Sequence, residues 1–358
     1  NWRGAHNFWW EQLYMSFPLL GGHLYVGRMT GGNWAYSFQD GEDNRDRIKY
    51  VRKFGHILGV LVFEKRVEAD GTPLTMVPAA GDGWDVSHSD RNAYALGAVV
   101  PFSKNVIWKP LYYHIDEQRY IMPNKGNGYL SVLMNALTLK FGNFGLDTEF
   151  NVHFANLEDA FLVAGQTKDI DETALSWWLD AHMTFGPAEI AGGFWWIEGS
   201  DTTTKPWETK NLTNSIGARF QPLYLFFSED VGLLFDASGV PNGTAALGGT
   251  SGMLGLFMRG AYKISDSMKL EGILAYVEAD EMLRGSHWNG IKAADDDLGL
   301  EFDLNFEWKF MPNIKYCAGF AYLDAGGYWD TFAFPGNGVG TSVDNDVWAL
   351  HHKLVINW

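Results

Sequence analysis

Leu298-Gly299-Leu300-Glu301-Phe302-Asp303-Leu304-Asn305-Phe306-Glu307-Trp308-Lys309-Phe310 alternates along its whole length. Successive strand side chains point to opposite faces. Leu298, Leu300, Phe302, Leu304, Phe306, Trp308 and Phe310 therefore build one apolar face, while Gly299, Glu301, Asp303, Asn305, Glu307 and Lys309 build a polar one. Strands of soluble sandwiches also alternate, but they are usually shorter and turn their apolar side to a core. Here the apolar face is bulky throughout and the opposite face is charged. The run exceeds the roughly 9–11 residues that a tilted strand needs to cross a bilayer, and the pattern suits a wall between lipid and a water-filled lumen.

The pattern recurs. Leu146, Thr148, Phe150, Val152 and Phe154 oppose Asp147, Glu149, Asn151 and His153. Leu175, Trp177, Leu179, Ala181, Met183 and Phe185 oppose Ser176, Trp178, Asp180, His182 and Thr184. Over Trp348–Trp358 the same alternation holds, with His352 as the polar residue on the apolar side. Tyr129–Phe141, Leu254–Tyr262 and Lys269–Val277 follow it less cleanly.

The chain has 358 residues, a net charge of −16 and 15% aromatic residues. The acidic balance argues against nucleic acid as a partner. No apolar stretch approaches the ~18 residues of a membrane helix. A mean hydropathy of −0.15 is compatible with a barrel, whose lipid-facing residues occupy every second position. Cys317 is the single cysteine, so no internal disulfide forms, and its apolar neighbours suggest a packed thiol.

Connections of two sizes largely alternate. Pro18–Gly22, Phe54–His56, Pro101–Asn105, Gly142–Gly145, Gly186–Pro187, Ser265–Ser267 and Met311–Asn313 are short. Gly31–Asn44, Val67–Asp90, Glu117–Asn127, Asn156–Thr173, Gly199–Asn214, Ala279–Asp296 and Asp324–Asn345 are long. The strands of Phe220–Gly252 cannot be placed from sequence. The fold class expected is all-β: a transmembrane antiparallel β-barrel of about 16–18 strands, with short periplasmic turns and long extracellular loops. Residues 1–358 are expected to form a single barrel domain. Because the first hairpin turns at Pro18–Gly22, an upstream N-terminal strand is also expected.

Three places carry a resemblance to the bacterial outer-membrane porins. Leu13-Tyr14-Met15-Ser16-Phe17, followed by Gly21-Gly22-His23-Leu24-Tyr25-Val26-Gly27-Arg28, resembles an early porin hairpin. Asn44-Arg45-Asp46-Arg47-Ile48-Lys49-Tyr50 resembles a charged strand opening in porins of sulfate- and metal-reducing bacteria. The terminal strand ending on Trp358 is similar to the signal read by the barrel-assembly machinery, although most members end in Phe. The resemblance implies a passive diffusion channel of the outer membrane. It also implies a homotrimer embedded in lipid and lipopolysaccharide.

In porins a long early loop folds into the lumen and faces a basic cluster. Val67–Asp90, with Glu68, Asp70, Asp82 and Asp85, is the candidate constriction loop, and an ordinary extracellular loop is the alternative. Arg28, Arg47, Lys49 and Arg52 are basic pore-wall candidates, although Arg28 shares parity with Leu24 and Val26. The alternative for Arg47 and Lys49 is a solvated rim strand. Asp147, Glu149, Asp180, Glu301, Asp303 and Glu307 are assigned to an acidic lumen wall. Lumenal acids concentrate cations, so a weak cation preference is expected.

Asp295, Asp296 and Asp297 are hard-oxygen candidates for Ca²⁺, without the ordered spacing of a calcium loop. A solvated acidic loop is the competing reading, and otherwise no cofactor is expected. A barrel lipase would need a Ser–His pair with an orienting acid or Asn on the outer wall. His352 falls on the lipid-side parity and Ser176 does not, and no G-x-S-x-G is present. The expectation is a channel without enzymatic activity. The alternatives are a substrate-specific channel for a sugar or organic acid, and a plugged barrel acting as an adhesin or scaffold.

Overall fold

The computed structural model describes residues 11–32, 34–39, 43–67, 91–117, 120–121, 124–125, 128–163, 166–200, 220, 222–227, 252–281, 295–328 and 346–356. Seventeen strands run in chain order: β1 (Leu13–Leu19), β2 (Gly22–Gly31), β3 (Asp43–Phe54), β4 (Ile57–Val67), β5 (Arg91–Ser103), β6 (Val106–Glu117), β7 (Tyr120–Ile121), β8 (Asn124–Lys125), β9 (Gly128–Phe141), β10 (Phe144–Val163), β11 (Gln166–Phe185), β12 (Ala188–Ile197), β13 (Met253–Ser265), β14 (Met268–Glu278), β15 (Asp297–Met311), β16 (Ile314–Ala325) and β17 (Val347–Ile356). A single helical turn, α1 (Tyr224–Phe227), lies between β12 and β13. Among these residues no helix is long and apolar enough to cross a membrane.

Fifteen of the strands form one antiparallel sheet in sequence order, and β7 and β8 pair apart from it. This meander follows from the connections. Two residues each join β1 to β2, β3 to β4, β5 to β6, β9 to β10, β11 to β12, β13 to β14 and β15 to β16. Two-residue links are the commonest hairpin connections and put neighbouring strands side by side. One long connection expected from sequence is corrected. Asn156–Val163 and Gln166–Thr173 are strand: β10 and β11 extend as a tall hairpin, with Leu157 opposite Ile170 and Val163 opposite Gln166. No ladder joins β1 to β17 among the described residues.

The sheet sorts its side chains by parity. On β15, Leu300, Phe302, Leu304, Trp308 and Phe310 are exposed on the outer face, whereas Glu301 and Asp303 are buried on the inner one. The same outer face carries Leu256 and Met258 of β13, and Trp348, Leu350 and Leu354 of β17. Leu298 departs from the expected apolar face. Val277 pairs with Gly299 and Glu278 with Asp297, which leaves Leu298 as the extra residue of a bulge. A bulge re-aims side chains. Gly299 supplies the φ of +126° there, and Leu298 joins the inner cluster at 2% exposure.

Candidate functional site in the lumen

Two connecting segments fold across the concave face. The first, residues 34–39, leaves β2 and runs over four strands of the wall. The Trp34 indole donates to the Lys109 carbonyl on β6 at 3.2 Å. The Tyr36 hydroxyl donates to Asp147 Oδ1 on β10 at 2.5 Å and also meets Thr138 on β9. Burial and the adjoining Asp147 carboxylate push the Tyr36 phenol above its ordinary pKa, so it stays a protonated donor. Gln39 Oε1 accepts from Asn151 Nδ2, His153 Nε2 and Ser176 Oγ at 2.9, 2.7 and 2.6 Å. Those three residues lie on the inward parity of β10 and β11, so one amide oxygen ties the segment to two strands.

The second segment contains Phe220 and α1. Its backbone amides are held by the wall: Tyr224 N–H donates to Asp303 Oδ2 at 2.9 Å, Leu225 N–H to Glu301 Oε1 at 2.5 Å and Phe226 N–H to Glu301 Oε2 at 2.9 Å. The Tyr224 ring stacks on His351 of β17, with ring centres 3.8 Å apart. The two segments meet where Phe38 packs edge-on against Phe220. Around that contact Trp195, Leu223, Leu225, Phe226, Phe227, Val277, Leu298 and Tyr328 form a buried apolar cluster. Each such side chain gains roughly 1.5–3 kcal/mol by full burial. The inward crossing is therefore held by apolar packing as well as hydrogen bonds.

A basic cluster faces the lumen from β3 and β4. Glu64 is fully buried and receives Arg45 Nη1 at 2.8 Å, Arg47 Nη2 and the Tyr113 hydroxyl, with Arg66 Nε 3.7 Å away. Three guanidiniums thus surround one carboxylate. Arg47 also donates to the Thr30 carbonyl, and its guanidinium packs onto Gly31.

Of the basic candidates, Arg47 and Lys49 lie on the inner face, Lys49 over the Tyr25 ring. Arg28 and Arg52 are corrected. Both share the outward parity of Ile48, which is 45% exposed. Arg28 lies 3.7 Å from Asp46, and Arg52 sits over the Phe54 ring at the short-turn end. The strand alternation places them outside, because Arg28 follows Leu24 and Val26 by even steps.

The acidic candidates face inward but differ in state. Glu149, Glu301 and Asp303 are covered by the inward segments and are not open wall charges, which corrects their assignment to a water-facing surface. Asp180 pairs with Arg259 at 3.2 Å and with His182 at 3.2 Å. Glu307 pairs with Lys315 at 2.8 Å. Asp147 holds Tyr36. Glu68, Asp70, Asp82 and Asp85 lie outside the described residues.

Asp295 turns its Oδ1 onto the backbone amides of Asp296 and Asp297, at 2.8 and 3.3 Å, and these hydrogen bonds lower its pKa. The carboxylate is thus engaged by its own turn. Among the described residues, Asp295, Asp296 and Asp297 do not converge as a metal-holding group.

Several inward residues were missed from sequence. Glu64 follows Val60 and Val62 on its own face, while Leu61 and Phe63 occupy the other, so both parities look apolar and neither marks the lumen. Tyr36 and Gln39 sit in a connection where periodicity has no meaning.

The sequence matches no protein-family model and no curated protein. Among solved structures it superposes on OccAB1 of Acinetobacter baumannii with a TM-score of 0.51 at 11% identity, covering 96% of this chain and 75% of that one. The chain has the fold of the outer-membrane β-barrel porins. The outer membrane protein OprD of Pseudomonas aeruginosa gives a TM-score of 0.47 at 11% identity, covering 94% and 76% of the two chains. The outer membrane channel DcaP of Acinetobacter baumannii gives 0.39 at 11% identity, covering 87% and 84%. At such identities the likeness concerns the porin fold, and the residues of the crossing have to be argued from their own chemistry.

Proposed function

We propose that the protein is an outer-membrane porin that passes small hydrophilic solutes and ions by passive diffusion. The observation that carries this reading is the sorting of one antiparallel sheet into a mainly apolar outer face, with Arg28 and Arg52 near its ends, and an inner face bearing Arg45, Arg47, Lys49, Asp147, Asp180 and Glu307. An apolar exterior fits lipid, and charged groups at membrane depth fit only a wet interior. Passage is narrowed by residues 34–39 and by the α1 segment. The net charge of −16 favours cations, the arginine cluster opposes it, and a weak cation preference is the expected balance. No catalysis is assigned to the lumen. In the same reading the barrel is a homotrimer in lipid and lipopolysaccharide, inserted by the barrel-assembly machinery through the strand ending on Trp358.

A selective channel for small organic acids is the second reading. The inner wall favours it, because Arg45, Arg47 and Arg66 together carry more positive charge than the one Glu64 carboxylate they surround. Planar-bilayer recording of the purified protein tests both. Absence of conductance removes the channel reading, and the reversal potential in a salt gradient gives the sign of selectivity.

A further inference from the structure

The outer wall carries a polar cluster that the lumen does not use. His114 of β6 lies directly opposite Ser131 of β9 in the ladder. Their outward parity is shown by the exposed neighbours Tyr112, Tyr129 and Leu133. His114 Nδ1 lies 2.7 Å from Ser131 Oγ, and His114 Nε2 lies 3.1 Å from Asp116 Oδ1. One tautomer satisfies both contacts: Nε2–H donates to the Asp116 carboxylate, and Nδ1 accepts from the serine hydroxyl. The other tautomer would set a bare ring nitrogen against a carboxylate. The Tyr112 hydroxyl stands 3.4 Å from Ser131 Oγ. A nucleophile, a base, an orienting acid and a neighbouring O–H donor are thus brought together.

We propose that Ser131, His114 and Asp116 form a serine esterase site on the outer wall, acting on the acyl esters of membrane lipids. The level is right for that substrate. His114 lies near the long-loop end of β6, ringed by Tyr94, Tyr112 and Tyr129, with centroids 6.4, 6.2 and 5.6 Å away. Tyrosines of this kind settle at the headgroup level, where acyl esters lie. Ser131 itself is only 4% exposed, as a small residue on a strand between larger side chains.

Ser131 Oγ bonds to the acyl carbonyl carbon while its proton passes to His114 Nδ1, and the Tyr112 hydroxyl donates to the developing oxyanion. The carbon–alkoxy bond then breaks, and the imidazolium gives its proton to the departing alcohol. Water, deprotonated by the same imidazole, cleaves the acyl-serine and restores the hydroxyl. Asp116 acts as a positioning residue. The site is independent of the channel reading, since no lumenal residue takes part.

The test uses the full chain in mixed micelles of detergent and dioleoyl phosphatidylcholine. It is treated with a fluorophosphonate probe and, in parallel, assayed for released oleate. The expected result is phosphonylation mapped to Ser131, with oleate release abolished in S131A. Labelling should slow by roughly a hundredfold in H114Q. The D116N variant should shift the pH profile of labelling, which a merely structural network would leave unmoved. An unlabelled Ser131 in protein that keeps heat-modifiable gel migration overturns the proposal, as does unchanged oleate release in S131A. Site mapping needs only the wild-type protein, so a misfolded variant leaves the test intact, and conductance is read separately.

Discussion

Phe38 and Phe220 meet edge to face across the lumen, ring centres 5.1 Å apart and planes at 72°, although one belongs to the β2–β3 connection and the other to the β12–β13 connection. This contact joins two short segments into one crossing, because Phe38 comes from the β2–β3 connection and Phe220 precedes α1. Edge-on aromatic pairs contribute about 0.5–1.5 kcal/mol beyond their buried area. Replacing Phe220 with Ala removes an aromatic contact of Phe38 and one of the three of the buried Trp195. The wall strands keep their ladders, so the variant should insert normally. Single-channel conductance should rise, and the size cutoff in liposome swelling should move to larger solutes. Unchanged values would mean that solutes pass elsewhere.

The α1 segment depends on Glu301, whose two oxygens each accept one backbone amide. Glu301→Gln keeps one acceptor and turns an NH₂ group towards the second amide. A buried donor without a partner costs about 1–3 kcal/mol. That loss should release the segment locally while the outer face of β15 stays in lipid. Hydrogen exchange at Leu225 and Phe226 should accelerate in E301Q, and open-channel current noise should grow. Equal amide protection in the two proteins would remove the anchoring role.

Glu64 is the counter-charge of the arginine cluster. Glu64→Gln removes the carboxylate that Arg45, Arg47 and Arg66 share. Breaking a buried ion pair by removing one partner costs about 3–5 kcal/mol. Removing one negative charge beside three guanidiniums should attract anions. The reversal potential of E64Q in a salt gradient should therefore shift towards anion selectivity. A shift towards cations would show that the cluster does not face the conducting path.

How far the sequence reveals this molecule depends on whether a residue lies in a ladder. On β15 the alternation is legible because each face is chemically uniform, and Glu301 and Asp303 could be placed on the inner face. What covers them was not legible. The α1 segment contacts β15 through backbone amides, which leave no pattern in side-chain identity. The candidate constriction loop Val67–Asp90 lies, from residue 68 on, outside the described residues, and the crossing formed by residues 34–39, 220 and 222–227 was not singled out from sequence. Ser131 and His114 show the same limit on the outer wall. They lie 17 positions apart in the chain, and only the β6–β9 register brings them opposite each other. Leu298 failed for a different reason: alternation assumes an unbroken ladder, and the bulge at Gly299 breaks it.

Neighbouring positions of β15 offer a test of the two faces. Phe302 is 40% exposed on the outer face, and Asn305 lies on the inner parity three residues on. A lysine facing lipid costs about 2–4 kcal/mol at the bilayer midplane and less near the interfaces. The same lysine facing an aqueous lumen keeps its hydration, and substitutions away from buried features usually stay within about 0.5 kcal/mol. Phe302→Lys should therefore lower the urea midpoint for unfolding from liposomes, while Asn305→Lys should leave it near the wild-type value. If both variants lost stability equally, Asn305 would be packed under the crossing and not facing water. If neither did, the outer face of β15 would not be meeting lipid.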